Sequence, residues 1–170
     1  MQRKSGRIAA GAMGAALVMI ATAWVKIPVP GGAGYAHVGD GVIFACATVL
    51  GPQAAGAAGI GSALADVLAG YPVYVPLTFF IKAVMGYLAG RYAVGGAGRR
   101  AAVFIGAEAL MAAGYFAFDC VLYGVAPALA ALPFSLFVQG GVGIALGLAL
   151  SGRRVQTLRR QEEQSPGKRR

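Results

Sequence analysis

Six apolar runs, separated by little more than glycine, proline or a short charged stretch, fill almost all of this 170-residue chain. They extend over Ile8 to Val25, Gly41 to Leu50, Pro52 to Ala69, Val75 to Tyr92, Ala101 to Leu122 and residues 133 to 150. A helix needs about 20 mostly apolar residues to cross a bilayer, and lipid leaves no backbone group unpaired. With 58% hydrophobic and 12% charged residues, the chain is too apolar for a soluble domain with a polar exterior. The pattern predicts an all-α integral membrane protein of six transmembrane helices. Residues 1–152 form one domain, and the basic stretch 153–170 is read as a disordered cytoplasmic tail. The run from Gly41 to Leu50 is short for a straight crossing, so it must tilt or be shielded by its neighbours.

Orientation comes from the basic residues. Arg3, Lys4, Arg7, Arg91, Arg99, Arg100, Arg153, Arg154, Arg159, Arg160, Lys168, Arg169 and Arg170 fall on the side that holds both termini, and only Lys26 falls on the other. By the positive-inside rule both termini are cytoplasmic. The segment Ile27 to Val38, rich in proline and glycine and bounded by Trp24 and Tyr35, then faces outward. It is either a lid over a pocket or a connector anchored at the headgroups.

Charged groups inside the apolar runs carry the functional argument, because a charge at membrane depth is costly unless it is paired or faces a wet cavity. Asp40 opens the second run, where capping a helix N-terminus is its default reading. Asp66 and Lys82 lie near the same membrane surface, and either an ion pair between them or contact with a ligand accounts for both. Glu108, Tyr115 and Asp119 are spaced by 7 and 4 residues, which places them on one helical face. Glu108 is about 10 Å deep at a rise of 1.5 Å per residue. Ser135 and Gln139 stand one turn apart in the last run. With His37 in the outer loop, these groups suggest a pocket open to the outside. Lys82 and Gln139 would serve as donors, Asp119 and Glu108 as acceptors, and Tyr35, Tyr74 and Tyr115 as walls for a heteroaromatic ring.

Several classes are disfavoured. A net charge of +9 raises nucleic acid as a partner, but the basic residues occupy the ends and one short loop instead of a groove with interleaved aromatics. Cys46 and Cys120 have no Cys-x-x-Cys or Cys/His spacing, so no metal is expected. No phosphate-cradling G-x-x-x-x-G-K-[ST] loop exists, so the chain does not hold ATP phosphates in that manner and any energy must come from elsewhere. No convergent reactive set supports an enzyme, and no cofactor is implied. The first run, with basic residues before it and Ala21-Thr22-Ala23 near its end, also has the outline of a signal peptide, although about 18 apolar residues is long for one. Its Gly11, Ala12, Ala15 and Ala16 provide small-xxx-small spacing that lets a helix approach closely, either within this chain or from a partner.

The stretch Tyr35 to Gly90 carries a resemblance. Gly39-Asp40, Leu50-Gly51-Pro52, Gly59-Ile60-Gly61-Ser62-Ala63-Leu64-Ala65-Asp66, Gly70-Tyr71-Pro72 and Ile81-Lys82 resemble the membrane-embedded substrate-binding (S) components of energy-coupling factor (ECF) vitamin transporters, nearest to the riboflavin and vitamin-precursor group. The resemblance implies a six-helix binder in a prokaryotic plasma membrane that captures a vitamin outside and docks on a module of a transmembrane coupling protein and two ATPases. It further implies that Ala12 and Ala16, with Gly11 and Ala15, form the docking face on the first helix. The candidate substrate-binding set, read from the charged and aromatic residues of the outer half, is Tyr35, His37, Asp40, Tyr74, Lys82, Glu108, Tyr115, Asp119 and Gln139. The competing class is a stand-alone secondary transporter of small solutes, which would ordinarily show inverted repeats or a longer chain.

Overall fold

The computed structural model describes residues 2–24, 26–28 and 35–152. The centre of the expected lid, residues 29–34, and the basic tail, 153–170, lie outside the described residues. Helix α1 (Gln2–Trp24) leads into a small antiparallel hairpin of β1 (Lys26–Pro28) and β2 (Tyr35–His37), with Ile27 opposite Ala36. Next come α2 (Gly39–Leu50), a 3₁₀ turn at Gly51–Gln53, α3 (Ala54–Ala69), a second 3₁₀ turn at Pro72–Tyr74, and α4 (Val75–Tyr92). Beyond a short linker lie α5 (Ala97–Tyr123), α6 (Val125–Pro133), a π-helical segment at Phe134–Gly140 and α7 (Gly141–Leu150).

Among the described residues, five stretches are long and apolar enough to cross a membrane: Ser5–Trp24, Gly39–Ala69, Pro72–Tyr92, Ala97–Tyr123 and Val125–Leu150. The second is 31 residues long and holds both α2 and α3. It doubles back at Gly51, whose φ of 63° suits glycine. The turn sits against Gly90 near the end of α4, where an added Cβ would overlap the Gly51 carbonyl. Asp40 at the start of α2 and Asp66 at the end of α3 meanwhile reach the opposite end of α4 and its approach. The shortness of α2 is resolved by shielding: it packs against α1, α4 and α7, and Asp40, Ile43, Phe44 and Ala47 have no exposed surface. Phe44 stacks on Phe104 of α5 with ring centroids 4.1 Å apart and planes 9° from parallel, and Met85, Ala89, Ala107 and Met111 complete this core.

Helix α1 packs on α3 through small residues. Gly61 meets the Ala15 carbonyl and Val18, and Gly14 faces Ala57, Leu50 and Cys46. The buried stripe of α1 is therefore Gly14, Val18 and Thr22, whereas Ala12 and Ala16 are exposed and Gly11 and Ala15 lie at the margin.

Two expectations from the sequence give way. The segment from Tyr123 to Leu132, expected as a link, is mostly helix α6, and the connection from α5 shrinks to Gly124 with φ 90°. Pro127 falls in the first turn of α6, where a missing N–H leaves no gap in the ladder. Helix α5 also starts earlier than expected, at Ala97, drawing Arg99 and Arg100 into its first turn. The α6–α7 run contains Pro133, and the π-helical segment begins at the next residue. Loss of the proline N–H and crowding by its ring break the α-helical ladder, and a wider turn re-pairs the backbone there.

Candidate ligand-binding site

At the end of the bundle where β2, the C-terminus of α3, the N-terminus of α4 and the C-terminus of α5 converge, a cleft encloses about 480 Å³, its open mouth included. It is lined by Tyr35, His37, Asp66, Tyr71, Tyr74, Thr78, Tyr115, Asp119, Ser135 and Gln139.

The wall is a series of tyrosines held in place by hydrogen bonds. Tyr35 donates to Asp66 Oδ1 at 3.0 Å, Tyr74 donates to Asp119 Oδ1 at 2.6 Å, and the Tyr115 hydroxyl and Thr78 Oγ1 share a bond at 2.8 Å. The rings succeed one another around the cleft: Tyr35 and Tyr71 have centroids 5.3 Å apart, Tyr71 and Tyr74 6.3 Å, and Tyr74 and Tyr115 6.1 Å. Phe118 braces Tyr74 from outside at 5.5 Å. These separations and tilts are those that aromatic quadrupoles favour. Fixing the hydroxyls of Tyr35, Tyr74 and Tyr115 leaves those ring faces with little rotamer freedom to lose on binding.

His37 joins the cleft to the helix beneath it. Its Nδ1 accepts the Gly39 N–H at 3.1 Å, which satisfies one of the orphan donors at the start of α2 and leaves Nε2 as the N–H donor. Burial pushes the imidazole down to about 4, with Lys82 adding to the effect and Asp40 opposing it. At neutral pH His37 is therefore an uncharged ring. Burial, reinforced by the Asp66 charge, pushes the Tyr35 hydroxyl up, so it stays protonated as a donor.

Below the cleft is a buried polar cluster. Lys82 Nζ pairs with Asp40 Oδ1 at 2.5 Å and touches Met111 Sδ at 2.9 Å, and neither Lys82 nor Asp40 has exposed surface. Gln139 Nε2 donates to Asp40 Oδ2 at 2.7 Å and contacts Met111 Sδ at 3.1 Å. Glu108 lies alongside, 3% exposed, and neither of its carboxylate oxygens has a hydrogen-bond partner among the described residues. Room for it comes from Gly143, where an added Cβ would lie 2.5 Å from Glu108 Oε1 and 3.0 Å from the Asp40 Cβ. Gln139 both lines the cleft and reaches Asp40, so it is the floor that separates the two layers.

The nine residues expected to bind substrate thus divide. Tyr35, His37, Tyr74, Tyr115, Asp119 and Gln139 line the cleft, whereas Asp40, Lys82 and Glu108 lie beneath it. Asp40 does not cap α2: it lies inside the first turn, and its carboxylate is engaged by Lys82 and Gln139. The alternative of an Asp66–Lys82 pair is overturned: Lys82 pairs with Asp40, and Asp66 accepts from Tyr35. Tyr71 and Thr78 join the lining without having been singled out. Tyr71 was legible as part of a Tyr-Pro-Val-Tyr corner, but a threonine one turn into an apolar helix gives no signal of its own.

The sequence matches the family described as "ECF-type riboflavin transporter, S component" over residues 3–156. The chain belongs to this family. It is a membrane substrate-binding component of an ECF transporter, a class that binds a small vitamin-type substrate and associates with an ECF module, and it is not of an enzyme family. The S component is also 37% identical over 133 residues to a protein of Pyrococcus woesei described as "Uncharacterized protein in gap 3'region", the match covering 76% of this chain and 88% of that one.

Proposed function

We propose that this S component captures a vitamin or vitamin precursor with a heteroaromatic ring, of riboflavin, B6-like or pyrimidine type, from outside a prokaryotic plasma membrane. A separate module of a coupling protein and two ATPases then drives its uptake. The observation that carries this reading is the cleft: four tyrosines, three with hydroxyls tied down, set around polar groups that can read a ring edge. Stacking on the tyrosines supplies affinity, and Ser135, Thr78, His37 and Gln139 supply directional hydrogen bonds. Asp40 fixes the position of Gln139 from below by accepting from its amide, and Lys82 balances the charge of Asp40.

Six crossings with both termini inside fit this role. The α2–α3 hairpin counts as two passages, and Arg7, bonded through Nε to Gln53 at 3.1 Å, shares the end of the bundle that holds the Gly51 turn and Arg91. The cleft lies about 24 Å away along α4, roughly sixteen residues at 1.5 Å each, and so faces out. Docking on the coupling protein falls to Ala12 and Ala16, with Gly11 and Ala15 at the margin of that face.

The test is binding and uptake on one preparation. The purified chain should bind ligand without chemical turnover, and uptake in vesicles should require the module and stop when its ATPase is inactivated. Uptake by the chain alone would instead establish the stand-alone carrier.

A further inference from the structure

The acidic residues are distributed unlike everything else in this chain. The protein carries 15 lysines and arginines against six acidic residues, yet four of those six, Asp40, Asp66, Glu108 and Asp119, surround or underlie the cleft. None of the lining residues is a lysine or arginine, and residues 29–34 between β1 and β2 are uncharged in sequence. Lys82 is engaged by Asp40 in the buried pair, so it offers little charge to the cleft. Lys26 is exposed at the mouth. Asp66 and Asp119 line the cavity itself, and Glu108 sits behind Gln139 with no hydrogen-bond partner among the described residues.

The rings add to this field, since the negative face of an aromatic quadrupole attracts cations. Two ammonium groups of the protein already occupy such positions: Lys26 Nζ lies 5.6 Å from the Tyr35 centroid, and Lys82 Nζ lies 5.8 Å from that of Tyr115. Four tyrosines, two lining carboxylates and a neutral histidine make a cage complementary to positive charge, in surroundings where weak screening strengthens the attraction.

We infer that the cleft selects organic cations, and that the ligand carries a protonated amine or a quaternised or protonated ring nitrogen held between the tyrosine faces and Asp66 and Asp119. This rests on the binding role proposed above and narrows its substrate class. Ligands with a carboxylate or phosphate are disfavoured, because they would bring negative charge against Asp66 and Asp119, whose hydrogen-bond partners are neutral tyrosine hydroxyls.

The test is a panel of vitamin-type compounds graded by charge and titrated into the purified chain: thiamine and pyridoxamine as cations, riboflavin and pyridoxine as neutral compounds, and biotin and flavin mononucleotide as anions. At least one cation should bind about ten-fold or more tighter than every neutral compound, with no detectable binding of the anions. Asp119→Asn, which keeps an acceptor for Tyr74, and Asp66→Asn should each erode the cation's advantage by about ten-fold or more. The wild-type ranking decides the matter even if a variant fails to fold. Tightest binding by riboflavin or by an anion overturns the cation inference while leaving the capture role intact, and so does a preference unmoved in folded variants. Failure of every cation to bind overturns it as well. Binding of any kind without module-dependent uptake instead removes the transport role and spares the charge preference.

Discussion

Among the described residues, Lys82 and Asp40 are each other's only opposite charge at hydrogen-bond distance in the buried cluster, so removing one strands the other. Breaking a buried pair costs roughly 3–5 kcal/mol because a bare charge remains. Lys82→Met should therefore lower thermal stability in detergent by an amount of that order. The double variant Asp40→Asn with Lys82→Met should recover much of the loss. A single variant as stable as the parent would show that water or a second charge reaches Asp40. That these residues matter was legible from charges inside apolar runs, but their partnership was not. Position along a helix gives a residue's height in the bilayer and says nothing of its azimuth around the bundle. Asp40 and Asp66 lie near the same height as Lys82, on two helices that both flank α4, and only packing decides between them. Glu108 differs in kind: its face was read correctly as inward, but its depth puts it beneath the cleft, under Gln139.

Among the elements, α1 has two faces with different consequences. Gly14 and Ala15 meet α3 or the residues around it, and association of helices in lipid depends on close van der Waals contact. Gly14→Leu, whose added Cβ would already lie 3.2 Å from Ala57 and Leu50, should accordingly reduce folded yield. Ala12→Leu and Ala16→Leu project from an exposed face remote from the cleft, so they should leave ligand affinity within about two-fold and depress module association and uptake together. Parallel loss of binding and uptake would mark that face as internal packing, and retention of both would remove it from the coupling interface. Element boundaries were legible where glycine and proline punctuate the chain: Val75 to Tyr92 was expected as a span and is α4 itself. They were misread at Pro127, because a proline in a first helical turn looks, in sequence, like any other breaker.

For the whole molecule, charge sorts along one axis, with arginines at the end holding the Gly51 turn and carboxylates at the cleft. Reporter fusions after Arg170 and within residues 29–34 should give opposite signals, cytoplasmic for the first and external for the second. Matching signals would end the six-crossing arrangement. The wide turn at Phe134–Gly140 imposes a constraint of another kind on this architecture. A π turn holds more residues than an α turn, so it acts as a phase shifter: each residue added to or taken from an α-helix rotates the remainder of that helix by about 100°. Ahead of the shifter, Ala128 and Ala131 face inward; beyond it, Gly143 and Gly147 do so, against Glu108 and Phe44. Deleting one residue between Phe134 and Val138 would preserve the hydropathy and length of this span almost unchanged. It would also turn Gln139 away from Asp40 or Gly143 away from Glu108, so the cleft floor depends on a count of residues that composition does not record.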